Sequence, residues 1–306
     1  MTEDTTETET RCGFVTVIGA PNAGKSTLVN KMVGAKVSIV SPKVQTTRTR
    51  VLGISIRGVS QVVFIDTPGI FSPREREKLG RAMVQTAWKS IGEGDFAALI
   101  VDSEKGITRD TRSILETLAS KQTPSILILN KIDLVPREKL LELAAQANAS
   151  SVFSETFMIS ALNGDGVDDF LEFCGDQARP GPWMFPEDQI TDMPMRLLAA
   201  EVVREKLFLQ LHQELPYALT VETVNWEEFK DGGVKIDAEI IVDRENQKGI
   251  VLGKNGARIK SVGAAARLDL MDMFDRKVHL FLRVKARPGW TNRAIHYRAM
   301  GLEFPV

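Results

Sequence analysis

One segment near the N-terminus restricts the possible folds more than any other part of the chain. Residues 19–26 read G-A-P-N-A-G-K-S and match the pattern G-x-x-x-x-G-K-[ST]. An apolar run at 14–18 predicts a strand before this segment, and the pattern at 26–33 predicts a helix after it. A glycine-rich turn between a strand and a helix is the context that this phosphate-binding motif requires. We therefore expect an α/β domain with a P-loop.

The chemistry of such a loop is a cradle for phosphate groups. Successive backbone N–H groups face the phosphate oxygens, and the helix N-terminus adds positive potential. Lys25 is expected to reach the β- and γ-phosphates, and the Ser26 hydroxyl to bind Mg²⁺. The alternative, a glycine-rich turn with a surface lysine, is disfavoured by the flanking strand and helix. Nucleotide contacts are predicted for Gly19, Pro21, Asn22, Ala23, Gly24, Lys25, Ser26 and Thr27.

The pattern that follows alternates strands with helices. Strands are predicted at 51–56, 61–65, 97–101, 125–129 and 152–159, and helices at 74–90, 109–119, 137–147 and 167–178. The first two of these strands have the spacing of a hairpin, while the rest favour a mostly parallel, doubly wound sheet. This P-loop domain is expected to span residues 12–178, after an acidic, disordered tail at 1–11.

A change of composition separates this domain from the rest of the chain. Four prolines fall within residues 179–194, which predicts a stiff linker. A small α+β domain is then predicted at 195–306, with the order α-β-β-α-α-β followed by a last helix. Its elements are predicted at 195–211, 217–225, 234–242, 246–252, 257–273 and 278–284, with the last helix from about residue 291.

The sequence Asp66-Thr67-Pro68-Gly69 directly follows a predicted strand. Ligands of open α/β sheets bind at the carboxyl ends of the strands, so Asp66 can hold Mg²⁺ and the Gly69 N–H can sense the γ-phosphate. The same four residues are also typical of a β-turn, an interpretation that the phosphate loop disfavours. Nucleotide contacts are predicted for Asp66, Thr67, Pro68 and Gly69.

A threonine in the polar segment before the second strand can complete the Mg²⁺ site only while the γ-phosphate is bound. Thr47 is the preferred candidate, and Thr46 remains open. The predicted metal ligands are thus Ser26, Thr47 and Asp66, and the predicted catalytic residues are Lys25, Thr47, Asp66 and Gly69.

Position 70 is unusual for a hydrolysing switch. Ile70 stands where many related proteins carry a glutamine that orients the attacking water, so slow hydrolysis is expected. K⁺ is a candidate cofactor, because the Asn22 side-chain carbonyl can offer it an oxygen beside the phosphates. Asn22 as an ordinary turn residue, bonding its own backbone, is an equally good interpretation.

The choice of base is indicated by Asn130-Lys131-Ile132-Asp133, again directly after a predicted strand. The Asp133 carboxylate can accept from guanine N1–H and N2–H₂ together, whereas adenine lacks this pair of donors. Asn130 can bridge loops, and the Lys131 stem can cover the base. Backbone N–H groups of Ser160, Ala161 and Leu162, at the end of the next strand, can contact guanine O6. These elements indicate GTP and GDP rather than ATP.

The C-terminal part carries a different signal. Residues 244–298 contain 13 Lys and Arg against 4 Asp and Glu, although the whole chain has a formal net charge of −1. This asymmetry suggests a polyanion as partner. A G-x-x-G loop between two predicted helices can bring N–H groups and cations to a sugar–phosphate chain. RNA contacts are predicted for Lys248, Gly253, Lys254, Asn255, Gly256, Arg258 and Lys260.

The remaining candidate residues are interpreted as structural. Cys12 and Cys174 show no pairing pattern, which favours a reducing compartment. The histidines His212, His279 and His296 match no triad or metal spacing. The aromatic residues Phe274, Phe281 and Trp290 are interpreted as core rather than as stacking platforms for bases.

The order of these motifs resembles the Era family of bacterial ribosome-assembly GTPases, in which a GTPase domain precedes a KH domain. The resemblance includes S-P-K-V-Q-T-T-R at 41–48, E-L-P-Y at 214–217, G-W at 289–290 and M-G at 300–301. It covers about residues 12–304, and the KH part makes it specific, since many small GTPases share the earlier motifs.

The resemblance implies a KH domain of the prokaryotic type that binds single-stranded RNA near the 3′ end of 16S ribosomal RNA. It also implies maturation of the 30S subunit, RNA binding in the GTP-loaded state, and some peripheral attachment to the inner membrane. We expect a cytoplasmic monomer. A hydrophobic residue at the position of Ile70 is usual in this family. The G-K-N-G loop after Leu252 departs in detail, and the acidic tail has no family role to transfer.

Two other functions are consistent with parts of the sequence. A scaffold that binds RNA and holds GTP without hydrolysing it is supported by Ile70. A membrane-surface or tRNA-modifying GTPase is disfavoured, because the chain has no transmembrane run, no second GTPase domain and no C-terminal catalytic cysteine.

Overall fold

The structure is a computed structural model that describes residues 9–75, 77–149, 152–211 and 215–305. It divides into two compact units that do not follow the chain order. The first unit contains the described residues up to Ser38 together with Arg50–Ser72 and Val84–Asp192. The second contains Ile39–Thr49, Pro73–Met83 and the described residues from Met193 onward.

The described residues of the first unit form a seven-stranded sheet with the order β2-β3-β1-β4-β5-β6, to which β7 adds a short pairing with β1. The β2–β3 hairpin is antiparallel and β1, β3, β4, β5 and β6 are parallel, which agrees with the predicted mostly parallel sheet. The strands are β1 Arg11–Gly19, β2 Val51–Arg57, β3 Ser60–Asp66, β4 Phe96–Asp102, β5 Ser125–Asn130, β6 Phe153–Ile159 and β7 Arg179–Pro180.

Helices cover both faces of this sheet. Successive side chains of a strand point to opposite faces, so Val17 packs into one core and Ile18 into the other, and neither is exposed. The prediction of a doubly wound α/β domain is confirmed. The helices are α1 Lys25–Val33, α2 Lys78–Ser90, α3 Arg109–Lys121, α4 Arg137–Asn148 and α5 Val167–Gln177.

The proline-rich segment is held more firmly than the predicted linker at 179–194. The fully buried Gln61 accepts hydrogen bonds from the N–H groups of Met184 and Phe185, at 2.9 and 3.0 Å. The N–H of Ile54 on the edge strand donates to the carbonyl of Ile190 at 2.9 Å. The first compact unit includes this segment up to Asp192, and polar groups of the β2–β3 hairpin give the segment hydrogen-bond partners.

The second unit contains the predicted α+β domain. Among its described residues a three-stranded sheet has the order β10-β9-β8, with β9 antiparallel to β8 and parallel to β10. No helix in the described part of the chain has both the length and the apolar character needed to cross a bilayer. The elements are α6 Met195–Gln210, β8 Leu219–Glu228, β9 Val234–Val242, α7 Glu245–Leu252, α8 Ala257–Phe274, β10 Val278–Ala286 and α9 Ala294–Ala299.

Some local predictions for this unit differ from the structure. The predicted strand start at 217 is wrong, because Leu215–Ala218 form a short 3₁₀ helix and β8 begins at Leu219. Phe281 is not a core residue, since 51% of its side chain is exposed on the edge strand β10. Trp290 is fully buried, as predicted. The predicted tail at 1–11, His212 and Glu214 lie wholly or mostly outside the described residues.

Candidate functional site

The turn between β1 and α1 buries the lysine of the phosphate-binding motif. Lys25 is only 6% exposed, and its ammonium donates to the carbonyls of Gly19 and Ala20 at 3.1 and 2.9 Å. Burial lowers the pKa of Lys25 to about 8, and the charge of Asp66 opposes this shift. The ammonium is thus held at the phosphate-binding loop. A bound polyanion there would raise the pKa of Lys25 again, because negative charge favours the protonated form.

Two glycines of the predicted site are required by close backbone approaches. Gly24 has φ 98°, and a Cβ atom there would lie 2.1 Å from the side-chain nitrogen of Asn130. A Cβ at Gly69 would lie 2.9 Å from the Cα of Pro21. The loop after β3 therefore lies directly against the phosphate-binding loop. A side chain at Gly69 would force these two loops apart, whereas one at Gly24 would displace the Asn130 side chain.

Asp66 ends β3 next to the first turn of α1. Its side chain is fully buried, and the Ser26 hydroxyl donates to its Oδ2 at 2.7 Å. Burial raises the pKa of Asp66, while the hydrogen bond from Ser26, the nearby Ser38 hydroxyl and the charge of Lys25 lower it. Its other oxygen, Oδ1, is buried and has no hydrogen-bond partner among the described residues. A carboxylate and a hydroxyl are the oxygen ligands that Mg²⁺ prefers, so these residues fit a magnesium site.

Ile70 contributes to the core instead of facing this site. It is 5% exposed and packs in the cluster that contains Ile18 and Leu99. Its backbone N–H donates to the Gly19 carbonyl at 3.0 Å. The neighbouring Thr67 is also fully buried, and its hydroxyl donates to the Val17 carbonyl at 2.7 Å. An apolar side chain in the core cannot orient a water, which agrees with the expectation from the sequence.

Asn130 joins two of the predicted loops. Its Nδ2 donates to the carbonyl of Ala23 at 2.8 Å, and its Oδ1 accepts from the N–H of Ala161 at 2.9 Å. The Ser160 N–H donates to the Asp165 carbonyl at 3.0 Å. The amides of Ser160 and Ala161 are thus engaged in these bonds, and the side chain of Leu162 is 75% exposed.

The structure adds a residue that the sequence analysis did not name. The Lys131 ammonium donates to the Asp102 carboxylate at 2.6 Å, and Asp102 is 6% exposed at the end of β4. This ion pair fixes the direction of the Lys131 stem beside the exposed Asp133. Asp102 could have been found by the rule that identified Asp66, since both directly end a strand at the same edge of the sheet.

The segment that carries the two threonines belongs to the second unit. The Thr46 hydroxyl hydrogen-bonds the Ser41 hydroxyl at 2.6 Å and donates to the Lys43 carbonyl at 2.7 Å. The Arg204 guanidinium of α6 donates to the Thr46 carbonyl. Thr47 is half-buried in the same segment.

The G-x-x-G loop between α7 and α8 is built from residues in unusual backbone conformations. Gly253 has φ 71° and ψ 176°, a region that is open almost only to glycine. Asn255 and Gly256 have φ 53° and 75°. A Cβ atom at Gly253 would lie 2.8 Å from the Cβ of Arg258, so the start of α8 also requires glycine there. These constraints hold the backbone open at the turn.

Cations surround this loop. Lys254 and Lys260 are exposed, and Arg258 donates from its guanidinium to the Ile250 carbonyl at 2.5 Å. The Lys248 ammonium lies 3.7 Å from the Glu245 carboxylate. The predicted RNA-binding residues thus lie in the turn between α7 and α8 and in the adjoining parts of these two helices, where they can meet a phosphate chain.

The fold and these sites define a class of protein: a P-loop GTPase domain followed by a KH domain. Residues 14–131 match the family described as 50S ribosome-binding GTPase, and residues 214–291 match the KH domain family. The first match covers the motifs at 19–26 and 66–69 and ends within the motif at 130–133, and the second covers the G-x-x-G loop.

Comparison with known proteins identifies the family. The chain is 56% identical to GTPase Era of Rhizobium meliloti (strain 1021), over 97% of this chain and 94% of that protein. It is 53% identical to GTPase Era of Brucella suis biovar 1, over 99% of this chain and 97% of that protein. The chain belongs to the Era family of GTPases. Because that family hydrolyses GTP, the alternative of a non-hydrolysing scaffold is set aside.

Two solved Era structures resemble the whole fold. Era in complex with MgGDPNP and nucleotides 1506–1542 of 16S ribosomal RNA superposes with a TM-score of 0.90 at 38% identity, over 95% of this chain and 99% of that chain. A variant of Aquifex aeolicus Era bound to GDP and AlF₄⁻ has the same TM-score and coverage at 39% identity.

Proposed function

We propose that this GTPase binds 16S ribosomal RNA near its 3′ end in the GTP-loaded state and acts in assembly of the 30S subunit. The observation that carries the proposal is a G-x-x-G loop with exposed cations in the same chain as a complete GTP-binding constellation. The relative solved with MgGDPNP and nucleotides 1506–1542 supports this choice of RNA. Crosslinking to cellular RNA and sequencing of the adducts tests it, and adducts away from 16S RNA would contradict it.

In the proposed nucleotide site, the N–H groups of residues 19–27 surround the phosphates and Lys25 places its charge at the β- and γ-phosphates. Asp133 accepts from the guanine ring, and the pair of Lys131 with Asp102 keeps the lysine stem along the base. Asn130 holds the phosphate loop and the loop after β6 in one arrangement. Because these groups are already held in position, little conformational freedom is lost when the nucleotide binds.

The proposed metal ligands are Ser26, Asp66 and Thr47. Mg²⁺, when bound, neutralises charge on the β- and γ-phosphates during phosphoryl transfer. Ser26 and Asp66 are already joined by a hydrogen bond of 2.7 Å. Thr47 is the proposed threonine ligand, and the Thr46 hydroxyl closes the turn that contains Ser41 and Lys43. The Gly69 amide is the proposed sensor of the γ-phosphate.

Hydrolysis is expected to be faster in K⁺ than in Na⁺. Ile70 lies in the core and cannot hold the attacking water, so another group must supply positive potential near the γ-phosphate. The Asn22 side chain is the proposed oxygen donor for K⁺. Single-turnover hydrolysis in the two salts at equal ionic strength measures the effect, for which we expect about tenfold, or ~1.4 kcal/mol of transition-state stabilisation.

The control for this prediction is Asn22→Ala, which should make the rates in the two salts equal while the chain still binds GDP. Equal rates in the unaltered protein would remove K⁺ from the proposed site.

The proposed switch rests on how the second unit is built. Leu79 and Met83 of α2 pack in one buried cluster with Trp290 and Tyr297. Arg48 is 1% exposed and donates to the carbonyl of Leu219, the first residue of β8 in the KH sheet, at 2.7 Å. The segments 39–49 and 73–83, which adjoin the nucleotide motifs in sequence, are therefore structural parts of the RNA-binding unit. A γ-phosphate that orders Thr47 would bias this unit.

Replacing Lys43 by methionine should reduce the difference in RNA affinity between the GTP- and GDP-bound states. The Lys43 ammonium donates to the carbonyls of Phe208 and Leu211 at the C-terminal end of α6. A cation stabilises a helix C-terminus and its unpaired carbonyls, so its removal loosens segment 39–49 from α6. We expect about a tenfold smaller ratio of the two affinities, since hydrogen bonds from a charged group contribute ~1.5–3 kcal/mol.

The matched control is Lys139→Met, in which the lost ammonium donates to the Glu104 carbonyl at 2.8 Å in the first unit. That variant should keep the original ratio. Equal RNA affinity with GTP, with GDP and without nucleotide in the unaltered protein would contradict the switch itself.

We further propose a cytoplasmic monomer with some peripheral attachment to the inner membrane. The resemblance to Era proteins supports this proposal. A cation-rich surface would also attract the anionic headgroups of a membrane. Sedimentation of the purified chain with vesicles that contain anionic lipid tests the attachment, and recovery of all protein in the supernatant would contradict it.

A further inference from the structure

A buried serine beside Asp66 was not identified from the sequence. Ser38 is 3% exposed, and neither its Oγ nor Oδ1 of Asp66 has a hydrogen-bond partner among the described residues. The Ser38 hydroxyl lies close enough to the Asp66 carboxylate to oppose the rise in pKa that burial imposes, without completing a hydrogen bond to it. A buried polar group without a partner costs ~1–3 kcal/mol, so two such atoms at one place indicate a ligand that both contact.

The backbone of Ser38 is fixed from the helix that carries Ser26. Asn30 lies one helical turn after Ser26, and its Nδ2 donates to the Ser38 carbonyl at 2.7 Å. Its Oδ1 accepts from the N–H groups of Val37 and Ser38, both at 2.9 Å. These bonds use only the backbone of Ser38. The hydroxyl is therefore not needed to hold the loop, and it is directed to Asp66 by an anchor that does not depend on it.

We infer that Ser38 is a positioning residue of the metal site, whose hydroxyl bonds the Asp66 carboxylate and the water shell of a nucleotide-bound Mg²⁺. The inference rests on the proposed function. Mg²⁺ keeps several of its waters and uses few protein ligands, so it needs hydrogen-bonding groups around that shell. A hydroxyl can donate to a carboxylate oxygen and accept from a water at the same time. Loss of such an outer partner lowers metal affinity ~10–100-fold.

The test measures metal affinity directly. Mn²⁺, which prefers the same oxygen ligands, is titrated into the full-length GDP complex and followed by electron paramagnetic resonance. Ser38→Ala should bind Mn²⁺ about tenfold more weakly, and Ser38→Thr should return to within about threefold of the original affinity. The affinity for GDP in EDTA should be the same in all three proteins, because Asn30 holds the loop without the hydroxyl.

Ser60→Ala is the matched control. Ser60 is also buried, at the opposite end of β3 from Asp66, where its hydroxyl donates to the Gly175 carbonyl at 3.0 Å. This variant should bind Mn²⁺ as the unaltered protein does, even if it unfolds at a lower temperature.

Two results would overturn the inference. Unchanged Mn²⁺ affinity in Ser38→Ala would remove the hydroxyl from the metal site. An equal loss of GDP affinity in EDTA and in Mn²⁺ would mean that Ser38 supports only the loop. Failure of the unaltered protein to bind GDP under either condition is a separate outcome, which would overturn the proposed function and this inference with it.

Discussion

Asp133→Asn should weaken GTP binding about a thousandfold and give the protein a preference for xanthosine triphosphate. The carboxylate accepts from two guanine donors, and hydrogen bonds of a charged group contribute ~1.5–3 kcal/mol each. The amide of asparagine instead presents a donor to the guanine amino group, which leaves both groups unpaired. Xanthine has a carbonyl oxygen at that position and can accept from the amide. Competition between GTP, ATP and xanthosine triphosphate in calorimetric titrations measures the change.

The control for this variant is Glu138→Gln, which removes an exposed carboxylate from the first turn of α4, five residues further along the chain. It should bind GTP as the unaltered protein does, because no base contact is proposed for this carboxylate although it is close to Asp133 in the chain. An unchanged preference of Asp133→Asn for GTP over ATP would contradict the assignment of base recognition to this aspartate.

The nucleotide site could be predicted from the sequence because its residues follow strands directly. Asp66 and Asn130 each end a parallel strand, so a strand prediction of moderate accuracy already places them at one edge of the sheet. Asp102 obeys the same rule and was still missed, since a single acidic residue after a strand forms no motif. Its partner Lys131 is distant in sequence, and only the structure brings the two together.

The composition of the second unit could not be predicted from local patterns. The apolar repeat at 74–90 predicts one helix in the first domain, and α2 does form from Lys78. Its first part, up to Met83, nevertheless packs with Trp290 and belongs to the RNA-binding unit. A helical repeat states which face is apolar but does not name the partner of that face.

Buried arginines are a second reason why the composition of the second unit could not be predicted from local sequence patterns. Arginine is almost always exposed, so Arg48 and Arg204 read as surface residues in the sequence. Each is only 1% exposed, and both guanidinium groups lie over the ring of Phe208, at 5.9 and 5.1 Å. The Glu201 carboxylate accepts from Arg204. Such a network is stable only when distant residues supply the partners together, which no sequence window contains.

Lys254→Glu should lower RNA affinity by at least about a hundredfold while the affinity for GTP stays the same. The exposed ammonium lies in the G-x-x-G loop, where the backbone is open to a sugar–phosphate chain. Charge reversal removes an attraction to phosphate and adds a repulsion, whereas Lys254→Ala removes the attraction alone. For the alanine variant we expect about tenfold weaker RNA binding. The slope of the logarithm of the binding constant against the logarithm of the salt concentration should be less steep by about 0.7.

The matched control is Lys277→Glu, which makes the same charge change beyond the far end of α8. This helix begins at Ala257 and has 18 residues, so it separates the two lysines by about 27 Å. Fluorescence anisotropy of a labelled single-stranded RNA with the 3′-terminal sequence of 16S RNA, in the presence of a non-hydrolysable GTP analogue, compares the variants. An equal loss of RNA affinity in the two variants would mean that only the net charge of the domain matters. A local contact to RNA would instead make the loss larger for Lys254 than for Lys277. Loss of GTP binding in Lys254→Glu would contradict the division of labour between the two sites, because this charge lies outside every nucleotide motif.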